Sequence, residues 1–199
     1  MLATVAAMHG QPAGAFVPLF DGTLAGWTIE NTQAGNFTVA NGVLRVQGPP
    51  GWLRADREYG DFTLRAEFRF VTLDADSGLF IRARSTGGFG PGWPNNSYQV
   101  QIRNPLGVSR FPPVGGLFRH GMPPGDLVFD PAVVSTLAKP TGEWQTLEVD
   151  VVGDRLAVRF NGSEVMRAGG IANASGFIGL QGETGTVEFR SIDIREQPR

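Results

Sequence analysis

The chain contains no cysteine. It can build neither a disulfide framework nor a thiolate metal site. Histidine is nearly as scarce, with 2 in 199 residues. A metal site would therefore have to be carboxylate-rich, for example a divalent cation held by Glu67 and Asp76 with waters, and no dedicated metal or cofactor site is expected. No apolar run approaches the roughly 20 residues of a membrane span. No basic run stands out and the net charge is -2, which gives a nucleic-acid partner no support.

What the chain has in quantity is Gly 28 and Pro 14, with 41% hydrophobic and 18% charged residues. That balance suits many short strands joined by tight turns around one sizeable core. The opening Met1 to Met8 is weakly apolar and lacks a basic n-region. Residues 1–15 read as a tail or as the remnant of a trimmed signal peptide, and residues 16–197 as a single domain. A periplasmic or secreted protein is the matching expectation.

The clearest stretch is Asp61 to Val71. Its even positions Phe62, Leu64, Ala66, Phe68 and Phe70 are apolar, and its odd positions Thr63, Arg65, Glu67 and Arg69 are polar. Strict period-2 alternation of this kind predicts a strand with one face on a core. The charged row is then either a solvated sheet face or the floor of a polar binding site. Short strands are expected around it at Phe16 to Phe20, Trp27 to Ile29, Phe37 to Val39, Val43 to Val46, Trp52 to Arg54, Leu79 to Arg84 and Tyr98 to Arg103. Asp74 to Gly78 reads as a turn. Asn41-Gly42 and Asn161-Gly162 favour hairpin turns of positive φ.

The stretch from Asn104 to Gly142 is long, irregular and too apolar for disorder, so it should pack over the domain, with a helical turn near Pro131 to Leu137. Hairpins follow to the end of the chain. In the last strand the apolar parity changes from odd (Val187, Phe189) to even (Ile192, Ile194), which predicts a β-bulge near Arg190-Ser191. The fold class is all-β, an antiparallel two-sheet sandwich.

An ordered series of motifs resembles the 3-keto-disaccharide hydrolase domain family. It runs through Phe20-Asp21-Gly22 with Gly26-Trp27, Asn41-Gly42-Val43-Leu44, and Tyr59-Gly60-Asp61-Phe62 with Leu64-Arg65 and Glu67-Phe68-Arg69. It continues through Ser77-Gly78-Leu79-Phe80-Ile81-Arg82, Tyr98-Gln99-Val100-Gln101-Ile102, Lys139-Pro140 with Gly142-Glu143-Trp144-Gln145, and Gly179-Leu180-Gln181. The resemblance implies a concanavalin A-like, jelly-roll sandwich with a polar cleft on its concave sheet, acting on glycosides already oxidised at C3. This chain departs from the family pattern at three places. Asp76 stands where Asn is usual, Gln99 where Glu is usual, and Glu183 to Gly185 lacks the His often found after Gly-Leu-Gln.

Strand parity gathers candidate residues onto one face. If Phe68 and Val100 point inward, Glu67, Gln99 and Gln101 point outward, and Arg82 shares parity with Phe80. A ketone at C3 acidifies the C2 proton, so the chemistry needs a base, an enolate stabiliser and a proton donor to the leaving oxygen. Glu67 is the expected base, with its pKa lowered by Arg65 and Arg69. Arg82 is the expected enolate stabiliser, because its planar guanidinium cannot lose its proton. His120 is the second-choice acid or base. Gln99, Gln101, Gln181 and Arg65 are expected to hold sugar hydroxyls, with Phe80 as an apolar platform. Trp93 and Phe89 would stack on sugar or anchor their own loop. Two-carboxylate glycosidase chemistry would need a second acid, for which Asp76 is the candidate. The expected function is cleavage of 3-keto-glycosides by hydrolysis or by elimination and hydration. The alternative is a non-catalytic carbohydrate-binding sandwich. The expected partner in either case is a small carbohydrate.

Overall fold

The alternation at Phe62 to Phe70 produces the strand at the centre of the larger sheet. The structure, a computed structural model, describes residues 14–84, 88–89 and 92–197. The expectations for residues 1–13, most of the 85–91 loop and the Phe89 side chain lie outside the described residues.

The strands in chain order are β1 (Val17–Phe20), β2 (Trp27–Glu30), β3 (Phe37–Ala40), β4 (Val43–Gln47), β5 (Gly51–Tyr59), β6 (Phe62–Phe70), β7 (Asp76–Ala83), β8 (Gly88–Phe89) and β9 (Trp93–Pro94). They continue with β10 (Ser97–Arg103), β11 (Leu117–His120), β12 (Leu127–Phe129), the helix α1 (Pro131–Leu137), β13 (Gln145–Val152), β14 (Arg155–Phe160), β15 (Ser163–Ala168), β16 (Gly176–Thr184) and β17 (Thr186–Glu196). One sheet runs β12-β15-β14-β13-β6-β17-β4-β3, with β1 also paired to β17. The other runs β11-β10-β7-β16-β5-β2, and β8 pairs β9 in a small hairpin. All pairings are antiparallel. No helix among the described residues is long and apolar enough to cross a membrane.

The two sheets close on one core. Phe62, Leu64, Ala66, Phe68 and Phe70 from β6 meet Leu79, Ile81, Tyr98, Val100 and Ile102 from β7 and β10. Leu147, Val149, Leu156, Val158 and Phe189 join the same cluster. Apolar residues from alternate positions of both sheets exclude water between them, which is the main stabilising term of such a sandwich. The Asn-Gly pairs turn as their chemistry requires, with φ of 52° and 73° at Asn41 and Gly42 and 47° and 85° at Asn161 and Gly162. In β17 the register shifts between Phe189 and Ser191 against Phe68 and Glu67. This is the inserted residue that the parity change requires, and it sets Arg190 beside Glu67.

The segment 104–142 bridges the two sheets. Its β11 extends the six-stranded sheet beside β10, while β12 joins the other sheet beside β15. The helix starts where Asp130 accepts hydrogen bonds from the Ala132 and Val133 amides and Pro131 opens the first turn, a combination that satisfies orphan helix-terminal donors. Asp76 is not in a turn. It begins β7, opposite Arg103 of β10.

Candidate functional site

On the six-stranded sheet, residues between the core positions face away from the core. Between Tyr98, Val100 and Ile102 lie Gln99 and Gln101, and next to Leu180 lies Gln181. Gly78 sits opposite both Gln101 and Gln181 in the register. With no side chain at Gly78, the three amides close over the sheet at that point. They line a cavity of about 160 Å³ together with Asp76, Glu183, His120, Trp93, Phe111 and Phe118.

Each wall has a local cause. Pairing of β11 with β10 sets Phe118 opposite Gln99 and His120 opposite Ser97. The His120 ring stacks on Phe118, with centroids 6.0 Å apart and planes at 17°. It also lies 6.0 Å from the Phe80 ring and 6.5 Å from Trp93. Trp93 is tied down by its Nε1–H, which donates to the Gly182 carbonyl at 3.3 Å. Phe111 comes from the loop after β10. That loop is held by Arg103, whose Nε donates to the Pro112 carbonyl at 3.1 Å and whose Nη2 donates to the Phe111 carbonyl.

Enclosure moves the titratable groups toward neutrality. Burial pushes the Asp76 carboxyl up to about 6, against the opposing pull of Arg103 and of the Gln101 amide. Burial and the Asp76 charge push Glu183 up to about 7. Burial lowers His120 below its ordinary value, because the imidazolium loses solvation there. Two carboxyls raised by burial and one imidazole lowered by it therefore line one small cavity.

The structure brings together Asp76, Gln99, Gln101, Gln181, His120 and Trp93 from the sequence expectations, and adds Glu183, Phe111 and Phe118. Glu183 shares parity with Gln181, and that was the signal available for it. Phe80 faces the cavity side of the sheet but is wholly buried beneath it, packed with Trp52, Ala83 and Trp93. It supports the His120 ring and does not line the cavity.

Glu67, Arg65 and Arg82 are not part of this constellation. Glu67 and Arg65 belong to the other sheet and face its outer side, where Arg190 holds Glu67 at 2.8 Å and Glu148 holds Arg65 at 2.6 Å. The Glu67 carboxyl is lowered, first by its hydrogen bond to Arg190. Both line a hollow of about 540 Å³ with Glu148, Arg159 and Asp193, a face laced by ion pairs. Glu67 and Asp76 therefore cannot share a cation. Among the described residues no group of three or more His, Asp or Glu is placed to hold a metal ion.

Arg82 is fully buried. Its Nη2 bonds Asp61 Oδ1 at 2.6 Å, and its Nε and Nη1 donate to the carbonyls of Gly60, Gly153 and Asn173 at 3.1, 2.6 and 2.8 Å. Strand β7 gains a residue against β16 between Phe80 and Ala83, and Arg82 takes φ 45° there. That bulge reverses parity, so Ala83 joins Phe80 on the outer side and Arg82 turns into the protein. Arg82 is a structural cation tying three loops to the sheet.

Comparison with known proteins agrees with this architecture. A protein from Parabacteroides distasonis, described as a candidate glycosyl hydrolase, superposes with a TM-score of 0.72 at 21% identity, covering 92% of this chain and 100% of its own. A second protein of that organism and description gives 0.69 at 15% identity, covering 92% and 94%. A carbohydrate-binding module from Bacillus subtilis gives 0.55 at 14% identity, covering 85% and 95%. At such identities these likenesses show the fold. No curated protein matches the sequence. Residues 15–195 match the sequence profile of the 3-keto-alpha-glucoside-1,2-lyase-like domain, and the chain belongs to that family of carbohydrate-active β-sandwiches.

Proposed function

We propose that the protein cleaves the glycosidic bond of uncharged glycosides that carry a ketone at C3. The observation that supports this reading is the set Asp76, Glu183 and His120 in one aromatic-walled cavity. Among the described residues its lining offers carboxylates and amides and no Lys or Arg, which suits a neutral sugar and disfavours a uronate or a sugar phosphate. At about 160 Å³ it is smaller than the roughly 300–1,000 Å³ clefts that enclose drug-sized ligands. One sugar ring enters and the aglycone stays at the mouth.

The chemistry divides among these residues. His120, with its lowered pKa, is neutral at pH 7 and takes the C2 proton. The C2–H electrons form the C2=C3 double bond of an enolate, and the charge moves to the ketone oxygen. Gln181, whose Oε1 is occupied by Gln99, offers its N–H groups to that oxygen. The enolate then expels the C1 substituent, and Glu183, raised to about 7, protonates the leaving oxygen. Addition of water across C1=C2 completes hydrolysis.

A second reading is favoured by the presence of two carboxyls, Asp76 and Glu183, in the same cavity: direct two-carboxylate hydrolysis, which needs no ketone. Turnover of a 3-keto-glucoside beside its unoxidised parent separates the two. Cleavage of the keto sugar alone is expected. Equal cleavage of both would replace the enolate route by direct hydrolysis. Saturable binding of the keto sugar with no cleavage of either would make this a carbohydrate-binding module.

A further inference from the structure

Five polar side chains of the cavity form one connected hydrogen-bond chain. Gln101 Nε2 donates to Asp76 Oδ1 at 2.6 Å. Gln99 Nε2 donates to Gln101 Oε1 at 2.6 Å and to Gln181 Oε1 at 2.9 Å. Gln99 Oε1 lies 2.8 Å from His120 Nε2.

Each link has a sense that its neighbour dictates. An ionised carboxylate only accepts, so Gln101 must turn its NH2 group to Asp76. Its Oε1 then faces Gln99, which must answer with its own NH2 group. The Gln99 Oε1 is left facing His120, and a carbonyl oxygen only accepts. His120 Nε2 must therefore carry a proton, and in the neutral ring the basic lone pair then lies on Nδ1.

We propose that Asp76 is a positioning residue that acts on His120 through Gln101 and Gln99, fixing the ring as its Nε2–H tautomer so that Nδ1 is the basic atom. Use of that atom on a C2 proton rests on the reading given under Proposed function. The tautomer is a property of the resting protein.

Enclosure makes the orientation binding. Gln99, Gln101 and Gln181 are 2%, 2% and 1% exposed, so a reversed amide finds little water to replace the partner it loses. Reversal of one amide would set buried carbonyl oxygens face to face, or a carbonyl against the Asp76 carboxylate, and leave donors unpaired. Gln181 accepts the second N–H of Gln99 and adds a further constraint on its orientation. Among the described residues, the side chains around His120 include Gln99 and the rings of Phe80, Trp93 and Phe118, with Glu183 and Asp76 in the same cavity. Around Asp76 they are Gln101, Arg103 and Glu183. Among the described residues, Asp76 is the charged group hydrogen-bonded to the amides.

The test is the imidazole ¹⁵N spectrum of the full chain labelled in histidine, at pH 7.5, with His9→Gln to leave a single ring. Wild type is expected to show the Nε2–H tautomer alone. Gln101→Met, which cuts the chain with a side chain of similar shape, should give a mixture of tautomers. Its kcat for a 3-keto-glucoside should fall on the order of tenfold or more at unchanged KM, as when a catalytic His loses its orienting partner. An Nδ1–H ring in the wild type overturns the proposal with no variant needed. A pure Nε2–H ring in Gln101→Met overturns it too, as does an unchanged kcat in a mixed population. Should Gln101→Met not fold, Asp76→Asn serves in its place, since its amide accepts in one orientation and donates in the other and should also give a mixture. The spectra need no substrate, so failure to cleave keto sugars would count against the proposed function alone.

Discussion

A Cβ built on Gly78 would stand 2.5 Å from Gln99 Nε2 and 2.7 Å from Gln99 Cδ. The missing side chain is therefore what lets the amide cluster exist. Gly78→Ala should push Gln99 off Gln101 and Gln181 inside a packed site, an overpacking that costs about 1–3 kcal/mol. The expected result is a lower melting temperature and a loss of kcat through displaced His120. A variant with wild-type turnover would mean that Gln99 has no part in placing that ring.

Two glutamates separate the faces of the molecule. Glu67 is paired with Arg190 on an exposed sheet surface, where such pairs contribute little. Glu67→Gln should leave turnover of the keto sugar intact and barely move the melting temperature. Glu183→Gln removes the proposed proton donor and should lower kcat by about 10²–10⁴-fold. Wild-type kcat/KM should fall as pH rises through about 7, where Glu183 ionises. The reverse ranking of the two variants would return the chemistry to the larger sheet.

Arg82 and Asp61 form a pair in which the cation is entirely buried. Arg82→Met would leave Asp61 with the Gly153 amide alone and take the donor from the Gly60, Gly153 and Asn173 carbonyls. Removing one partner of such a pair costs about 3–5 kcal/mol. Urea denaturation should show that loss, while the folded protein keeps its kcat. A loss of kcat with unchanged stability would restore Arg82 to the reaction.

These contrasts show what the sequence carried and what it did not. Alternation at Phe62 to Phe70 names the inward face of β6, and the parity change at Val187 to Ile194 announces the β17 bulge. Parity orders faces within one strand only. It does not say which sheet the strand joins, and pairing of β6 with β13 and β17 is set by residues far away in the chain. That is why Glu67 and Gln99, both outward, point away from opposite sides of the sandwich. The β7 bulge had no local mark, because the residue at positive φ is Arg82 rather than Gly or Asn. Asp76 lies in a run of turn-forming residues, and only pairing with β10 and β16 draws it into a strand.

Stability should vary with pH through the same cavity. Asp76 and Glu183 have folded pKa values raised above their ordinary ones. A carboxyl of this kind binds more protons folded than unfolded between the two values, so its contribution to stability falls as pH rises through that window. Glu183 weakens the fold above about 7 and costs nothing near pH 4, where it is protonated in both states. Its share, discounted for the water that reaches it, is about 1 kcal/mol. Glu183→Gln should therefore raise the melting temperature at pH 8 by about 2–4 °C and leave it unchanged at pH 4. Calorimetry at the two pH values checks this, and an equal change at both would mean that the charge is not the cause.

Asp76 and Gln99 are both bonded to Gln101. Gln101 therefore links the carboxylate at one end to the amide at the other. Gln101 has a single NH2 group and can satisfy a carboxylate on one side only. Gln99→Glu alone sets a second carboxylate against the Gln101 oxygen, where both side chains are almost wholly buried, and should be strongly destabilising. Adding Asp76→Asn lets Gln101 reverse, donating to Glu at position 99 and accepting from Asn at position 76. The double variant should thus be more stable than Gln99→Glu alone, with a coupling of about 1–3 kcal/mol between the two sites. A carboxylate beside His120 Nε2 should also raise the His120 pKa, since an adjacent anion favours the imidazolium. Urea denaturation of the four proteins of the cycle, at pH 7.5, measures the coupling. Additive effects would show that Gln101 does not carry orientation from one position to the other.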